Sequence, residues 1–384
     1  MQTIGNQNLP EISLYFHLPF CTRKCDYCHF YVLPDQDTLK QQLLDGLFLE
    51  WKRLSLHLTP FKICSIYFGG GTPFLFGPQR IKQVMDWIRQ DAFLSPTAEL
   101  TLEANPENVT ADVMQAYVQA GINRVSLGVQ TLDPALLQLL GRLHHPQTAL
   151  NAIQTIIDTG ISNLSIDLMY DLPQQTLAHW ETTLNQVIQL PLTHLSLYNL
   201  TIEPHTLFFK RQESLRPHLP DEAASLAMYQ MACQKLESVG LQQYEISAFA
   251  KPGYESQHNS GYWTGRPFWG LGPSAFSYWE GKRFRNVAHL GRYCAALKKE
   301  ESPIDFEEQL ETYAHRRELF VIQMRLRTGV NLNEFIARHG PLDEMTHQMI
   351  NHLEKEGFLT KEHSQIKLTQ RGILFYDHVA AELI

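Results

Sequence analysis

Three cysteines stand within eight residues, Cys21, Cys25 and Cys28, in the stretch CTRKCDYCHF. Their C-x3-C-x2-C spacing folds readily into a loop around one iron–sulfur cubane, with a thiolate on each of three irons. The fourth iron then lacks a protein ligand and is open to a small chelator, such as the amino and carboxylate groups of an amino acid. A zinc site is the alternative; it needs a fourth ligand, for which His17 or His29 is available. Cys64, Cys233 and Cys294 stand alone and read as buried structural thiols. Six cysteines in 384 residues are too sparse for a disulfide scaffold.

Such a loop needs a scaffold, and the first 250 residues alternate strand-like with helix-like segments. Apolar, β-rich runs begin at Ser13, Lys62, Ala98, Arg124, Asn163, His194 and Tyr244. Between them, Ile81, Val84, Met85 and Ile88 recur at i, i+3, i+4 and i+7, and two other helical patterns end at Gly121 and Gly160. Near-continuous apolar strands alternating with helices predict a parallel sheet covered by helices: an α/β fold, a full or partial TIM-like (β/α) barrel. A doubly wound open sheet is the runner-up. In a barrel the reactive groups gather at the C-terminal strand ends. The cysteines follow the first strand, GGGTP follows the second, Glu103 and Gln130 end the third and fourth, and Asp167 lies late in the fifth.

Three regions are expected: the barrel over 12–250, a glycine- and aromatic-rich segment over 251–309, and a mainly helical, winged-helix-like domain over 310–384. Nine Lys/Arg against ten Asp/Glu in the last region, and a net charge of −8 overall, leave no basic footprint for nucleic acid. A packing or substrate-covering role is therefore expected of the tail. The N-terminus has neither the charge nor the apolar run of a signal peptide, and no apolar stretch approaches the ~18 residues of a membrane helix. A cytoplasmic protein is expected, with peripheral membrane contact left open.

CTRKCDYC, GGGTP and the strand-end carboxylates together resemble the radical S-adenosylmethionine (SAM) superfamily. That resemblance implies a [4Fe–4S] cluster on Cys21, Cys25 and Cys28 whose open iron chelates SAM, and one-electron cleavage of SAM to a 5′-deoxyadenosyl radical. It assigns Gly70, Gly71 and Thr72 to a bare turn beside the methionine end, with a simple tight turn as the plain alternative. Glu103 and Arg142 suit the amino and carboxylate groups of SAM; a buried ion pair between them is the alternative. Asp167 and Gln130 suit the ribose. Tyr15 and Tyr27 resemble contacts to cluster and SAM, or else core packing.

A narrower similarity, from YFHLPFC through GGGTPFLF, EANPENV and IDLMYDLPQQT to HNSGYW, covers roughly residues 12–290 and follows the oxygen-independent coproporphyrinogen III oxidase group. Its oxidases carry a fourth cysteine where this chain has Phe30. The intact H-N-x-x-Y-W of His258, Asn259, Tyr262 and Trp263 is instead similar to the HemW branch of haem chaperones. This implies haem binding through His258 and the flat faces of Tyr262 and Trp263, and delivery to haem-requiring proteins, with the membrane surface as one setting. A packed, hydrogen-bonded histidine is the alternative for His258, and loop capping for His144 and His145. Coproporphyrinogen dehydrogenation, or radical chemistry on another tetrapyrrole, is the second reading. Asp171, Gln174 and Ser274 stand where the group often has glycine, and Phe74 and Phe276 are expected to alter the shape of the cavity.

Overall fold

The structure, a computed structural model, describes residues 9–384. Six strands pair in parallel and in chain order: β1 (Glu11–Leu18), β2 (Lys62–Gly70), β3 (Phe93–Ala104), β4 (Arg124–Gln130), β5 (Asn163–Tyr170) and β6 (His194–Asn199). They are the first six runs read from the sequence. The alternation of side chains along a strand sorts their residues between two buried faces. Ile12, Leu14, Phe16 and Leu18 of β1 join the apolar layer beneath the helices. The opposite face is polar and bonded across strands, as where Ser65 donates to Ser13 (2.9 Å) and Ser165 meets His194 Nδ1 (2.8 Å). The strands are thus buried on both sides, as expected, but only the outer face is apolar.

Helices α1 (Asp37–Leu54), α2 (Pro78–Asp91), α3 (Ala111–Ala120), α4 (Pro146–Asp158) and α5 (Leu177–Val187) follow successive strands. The four apolar positions predicted for α2 are its buried residues. Gly121 closes α3 at φ 113°, a left-handed position that costs glycine nothing.

The seventh strand is where the expectation fails. Tyr244–Phe249 does not continue the parallel series but splits into a tight antiparallel pair, β7 (Gln242–Glu245) and β8 (Ala248–Ala250), and β8 runs antiparallel to β6. A two-residue connection cannot bring a chain back parallel, which takes a crossover of a dozen residues or more. The chain instead returns through α7 (Gln257–Trp263, with α6 at Glu222–Glu237 before it) to lay β9 (Phe268–Leu271) parallel to β1 on the opposite edge. Three antiparallel strands extend that edge: β10 (Phe276–Trp279), β11 (Lys282–Asn286) and β12 (Ile304–Gln309). The sheet order is β12-β11-β10-β9-β1-β2-β3-β4-β5-β6-β8-β7, so the barrel is partial and open.

After α8 (Leu290–Lys298) the tail forms α9 (Thr312–Gln323), β13 (Val330–Asn331), α10 (Leu332–His339) and α11 (Glu344–Lys355). The hairpin β14 (Leu359–Glu362) and β15 (Gln365–Leu368) and two short helices complete it. Its apolar residues, among them Phe320, Phe335, Ile350 and Ile366, form a cluster of their own. The order helix, short helix, helix, hairpin, helix is the one read from the sequence, with the last helix broken in two.

Candidate functional site

The cysteine loop leaves the end of β1 and is strapped to segments far along the chain. Asp26 N–H donates to Leu140 O (3.1 Å), Phe208 N–H donates to Asp26 O (2.9 Å), and the Asp26 carboxylate pairs with Arg211. Behind the loop passes the turn after β2. Gly71 N–H donates to Leu18 O (3.1 Å) and Thr72 N–H to Phe20 O (2.7 Å). A Cβ on Gly71 would come within 2.7 Å of Phe20 O, so the contact requires glycine. Thr72 Oγ1 lies 3.6 Å from Cys21 Sγ.

All three thiols are free and stand in the wall of a cleft of about 400 Å³ at the strand ends. Burial pushes the Cys21 thiol up to about 11, with Cys28 and Cys25 adding to the shift, and burial also raises Cys28. Three thiolates here need a cationic centre. Among the described residues no three His, Cys, Asp or Glu side chains converge on a point that would hold one metal ion. A cubane, which spreads its thiolates over separate irons, suits three cysteines set apart in this way. Of the histidines weighed as fourth zinc ligands, His17 meets the Tyr15 hydroxyl (2.9 Å) outside this cleft, and His29 stands in its wall, stacked on Phe30.

Glu103, Gln130, Arg142, Asp167, Tyr27, Gly70, Gly71 and Thr72 all line the same cleft. The ion pair weighed for Glu103 and Arg142 does not form. Glu103 accepts instead from the Tyr67 hydroxyl (2.8 Å) and Gly70 N–H (3.1 Å), and burial pushes its carboxyl up to about 7. Arg142 donates to Asn105 Oδ1 (2.8 Å), Gly128 O (2.6 Å) and Cys25 Sγ (3.5 Å), while its buried Nε has no partner. Burial works against the Arg142 charge, but Tyr27, Cys25 and Glu107 beside it hold the proton in place. Asp167 accepts from Ser126 (3.3 Å), and burial raises its carboxyl. Gln130 ends β4 at φ 66°, which turns its amide toward Gly128 and Arg142.

A second cavity, about 550 Å³ and largely aromatic, adjoins the first, and His29 and Phe30 stand in the wall of both. Tyr262, Trp263, Phe268 and Tyr278 line it, and Leu319 and Ile322 of α9 close it. Tyr15 lines the aromatic cavity: it shares a face of β1 with His17 and stacks on Tyr67. Phe276, 48% exposed, also lines it, whereas Phe74 is buried against Tyr117 and shapes neither cavity.

His258, the haem ligand that the motif suggests, is packed and hydrogen-bonded. It is 1% exposed, its Nδ1 meets Ser65 Oγ (3.0 Å) and its Nε2 meets Tyr262 Oη (2.8 Å). Burial, with Arg266 and Arg124 adding, pushes its pKa down to about 3. The packed alternative describes it, for a reason the motif does not contain: Glu99 of β3 accepts from Ser256 Oγ (3.2 Å), Gln257 N–H (2.9 Å) and His258 N–H (3.0 Å), and so draws the start of α7 into the barrel. Asn259 N–H bonds the Ser256 cap (3.2 Å). His144 is buried against Val129 O (3.2 Å) and Glu107, and His145 begins α4. Sequence reading missed Glu99, Asn105 and Tyr67. Glu99 carried a signal, since period two places it on the face of Thr101 and Glu103.

An open β/α barrel with three cysteines beyond its first strand, and polar groups at the other strand ends, defines a radical SAM protein. Comparison agrees: residues 15–187 match the Radical SAM superfamily and residues 313–375 the HemN C-terminal domain. The fold is shared with coproporphyrinogen III oxidase (HemN) from Escherichia coli, at a TM-score of 0.85 and 22% identity over 98% of this chain and 90% of that one. "Heme chaperone HemW" of Bacillus subtilis is 32% identical over 96% of this chain and 97% of its own, and that of Escherichia coli 35% identical over 96% of each. The chain belongs to the HemW family.

Proposed function

We propose that the chain is a haem chaperone on a radical SAM scaffold, with cluster and SAM in the strand-end cleft and haem in the aromatic cavity. The observation that carries this reading is the adjacency of the two chambers, which share His29 and Phe30 as a common wall. Cys21, Cys25 and Cys28 hold the [4Fe–4S] cluster, which when bound supplies single electrons and an open iron. Glu103 accepts from the amino group of SAM, and Arg142, with its unpartnered Nε, meets the carboxylate. Gly70, Gly71 and Thr72 let the backbone approach, Asp167 and Gln130 hold the ribose, and Tyr27 packs beneath. Tyr262 and Trp263 offer flat faces to the porphyrin, and His258 acts by fixing Tyr262. Proteins that require haem are the acceptors.

The test is an anaerobic haem titration of cluster-reconstituted protein followed by absorbance. One saturable equivalent is expected, with Trp263→Ala weakening it at least tenfold. No binding by wild type sinks the reading. Coproporphyrinogen is then the first substrate to try, although Phe30, in place of the oxidases' fourth cysteine, stands against it.

A further inference from the structure

Arg142 is held in the strand-end cleft from two sides. From the loop before α4 it donates to Gly128 O (2.6 Å) near the end of β4 and to Asn105 Oδ1 (2.8 Å) in the turn after β3. His144, two residues on, repeats both contacts a little further along. Its Nε2 meets the next carbonyl of β4, Val129 O (3.2 Å), and its Nδ1 faces Glu107 Oε2, in the turn after β3, at 3.4 Å. The paired contacts lead to the cysteines. Arg142 donates to Cys25 Sγ (3.5 Å), and Asn105 donates to Thr72 Oγ1 (3.0 Å), which lies 3.6 Å from Cys21 Sγ.

The protons of His144 follow from these neighbours. A carbonyl only accepts, so Nε2 carries hydrogen. A neutral ring would then turn the Nδ1 lone pair toward a carboxylate. The His144 side chain is fully buried, the Glu107 side chain is 20% exposed, and neither Nδ1 nor Oε2 has a hydrogen-bond partner to relieve the contact. A proton on Nδ1 makes the same contact an ion pair. The carboxylate is available for it: burial raises the Glu107 carboxyl, but His144 and Arg142 outweigh burial and hold it below the usual range. The charge of Glu107 also bears on Arg142. Left without an imidazolium, Glu107 would compete with Cys25 for the guanidinium.

We propose that His144 is an imidazolium paired with Glu107, and that the two are positioning residues for Arg142. His144 grips the end of β4 and neutralises Glu107, so the charge of Arg142 is left for Cys25 and for the carboxylate of SAM. This rests on the reading of Arg142 as the partner of that carboxylate.

Two measurements on the full chain test it. Nitrogen NMR of histidine-labelled protein at about pH 7 reads the ring directly and needs neither cluster nor SAM. The His144 signal is the one that Glu107→Gln alters and His144→Gln removes. Two protonated nitrogens are expected in wild type and one in Glu107→Gln; a neutral ring in wild type overturns the proposal. Equilibrium dialysis of SAM against cluster-reconstituted protein then compares wild type, His144→Gln and the double variant His144→Gln/Glu107→Gln. Glutamine at 144 keeps a donor for Val129 O but no charge. His144→Gln should bind SAM about tenfold more weakly with unchanged cluster absorbance, and the double variant should recover most of that loss. A histidine that only packs gives no such recovery. A double variant as weak as the single one, or His144→Gln as tight as wild type, therefore overturns the positioning role. Failure of wild type to bind SAM overturns the SAM reading and the role toward it, while the ion pair stands or falls by the NMR.

Discussion

Glu103 shows how one buried carboxyl couples the proposed SAM site to pH. Burial raises it to about 7 although the Tyr67 hydroxyl stabilises its charge. An ammonium group needs the carboxylate, so below pH 7 the proton must leave before such a ligand binds. SAM affinity should therefore fall about tenfold for each pH unit below 7 and level off above it. Equilibrium dialysis between pH 5.5 and 8 checks this, and Glu103→Gln should bind more weakly with a flat profile. Without ligand the sign reverses. The unfolded carboxyl ionises near 4.5, so Glu103 makes the fold less stable as pH rises from 4.5 toward 7. Cysteine spacing and strand-end placement made these residues legible in the sequence. Their partners were not, because Tyr67 and Asn105 reach Glu103 and Arg142 across different strands.

At the level of elements, the turns after the strands hold side chains where glycine is easier. Asp171, Gln174 and Ser274 have φ of 61°, 67° and 67°, at the three positions where the resemblance leads one to expect glycine. Asp171 has a compensating role, since its carboxylate accepts from Ser225 (2.5 Å) and Asn199. Gln174 is exposed and no hydrogen bond from its side chain offsets the strain. A left-handed non-glycine residue costs about 1–3 kcal/mol, and glycine returns part of that as chain entropy. Gln174→Gly should stabilise the protein by about 1 kcal/mol, read as a higher urea midpoint with an unchanged slope. The six parallel strands were legible because their periodicity is local. The seventh was not, since a lone apolar run reads alike whether its neighbours lie parallel or antiparallel.

Across the whole molecule, the C-terminal helices complete the second chamber. Arg325, just past α9, lies over the rings of Trp263 (4.4 Å) and Tyr376 (5.1 Å), and its carbonyl accepts from Ile246 N–H (3.1 Å). His315 Nε2 meets the Tyr278 hydroxyl (2.7 Å). These contacts seat Leu319 and Ile322 against the aromatic cavity. Ile322→Trp adds bulk to that wall and should weaken haem binding at least tenfold while SAM binding is unchanged; parallel titrations of the two ligands separate the effects. Among the described residues no helix is long and apolar enough to cross a membrane.

By itself the sequence determined what depends on near neighbours: the cysteine loop, the β/α alternation, the glycine turns, and which polar residues lie late in the strands. Hydrophobic period and ligand spacing are written over a few residues, and the chain carries them wherever it goes. Only the tertiary structure decided how the motif histidine is held. His258 is occupied because Glu99, 159 residues earlier, anchors its helix and Ser65 and Tyr262 take its nitrogens. The aromatic cavity exists because β9 returns to β1 from more than 250 residues away and brings its walls with it. Availability of a side chain depends on burial and on contacts between distant segments, and no local pattern encodes either.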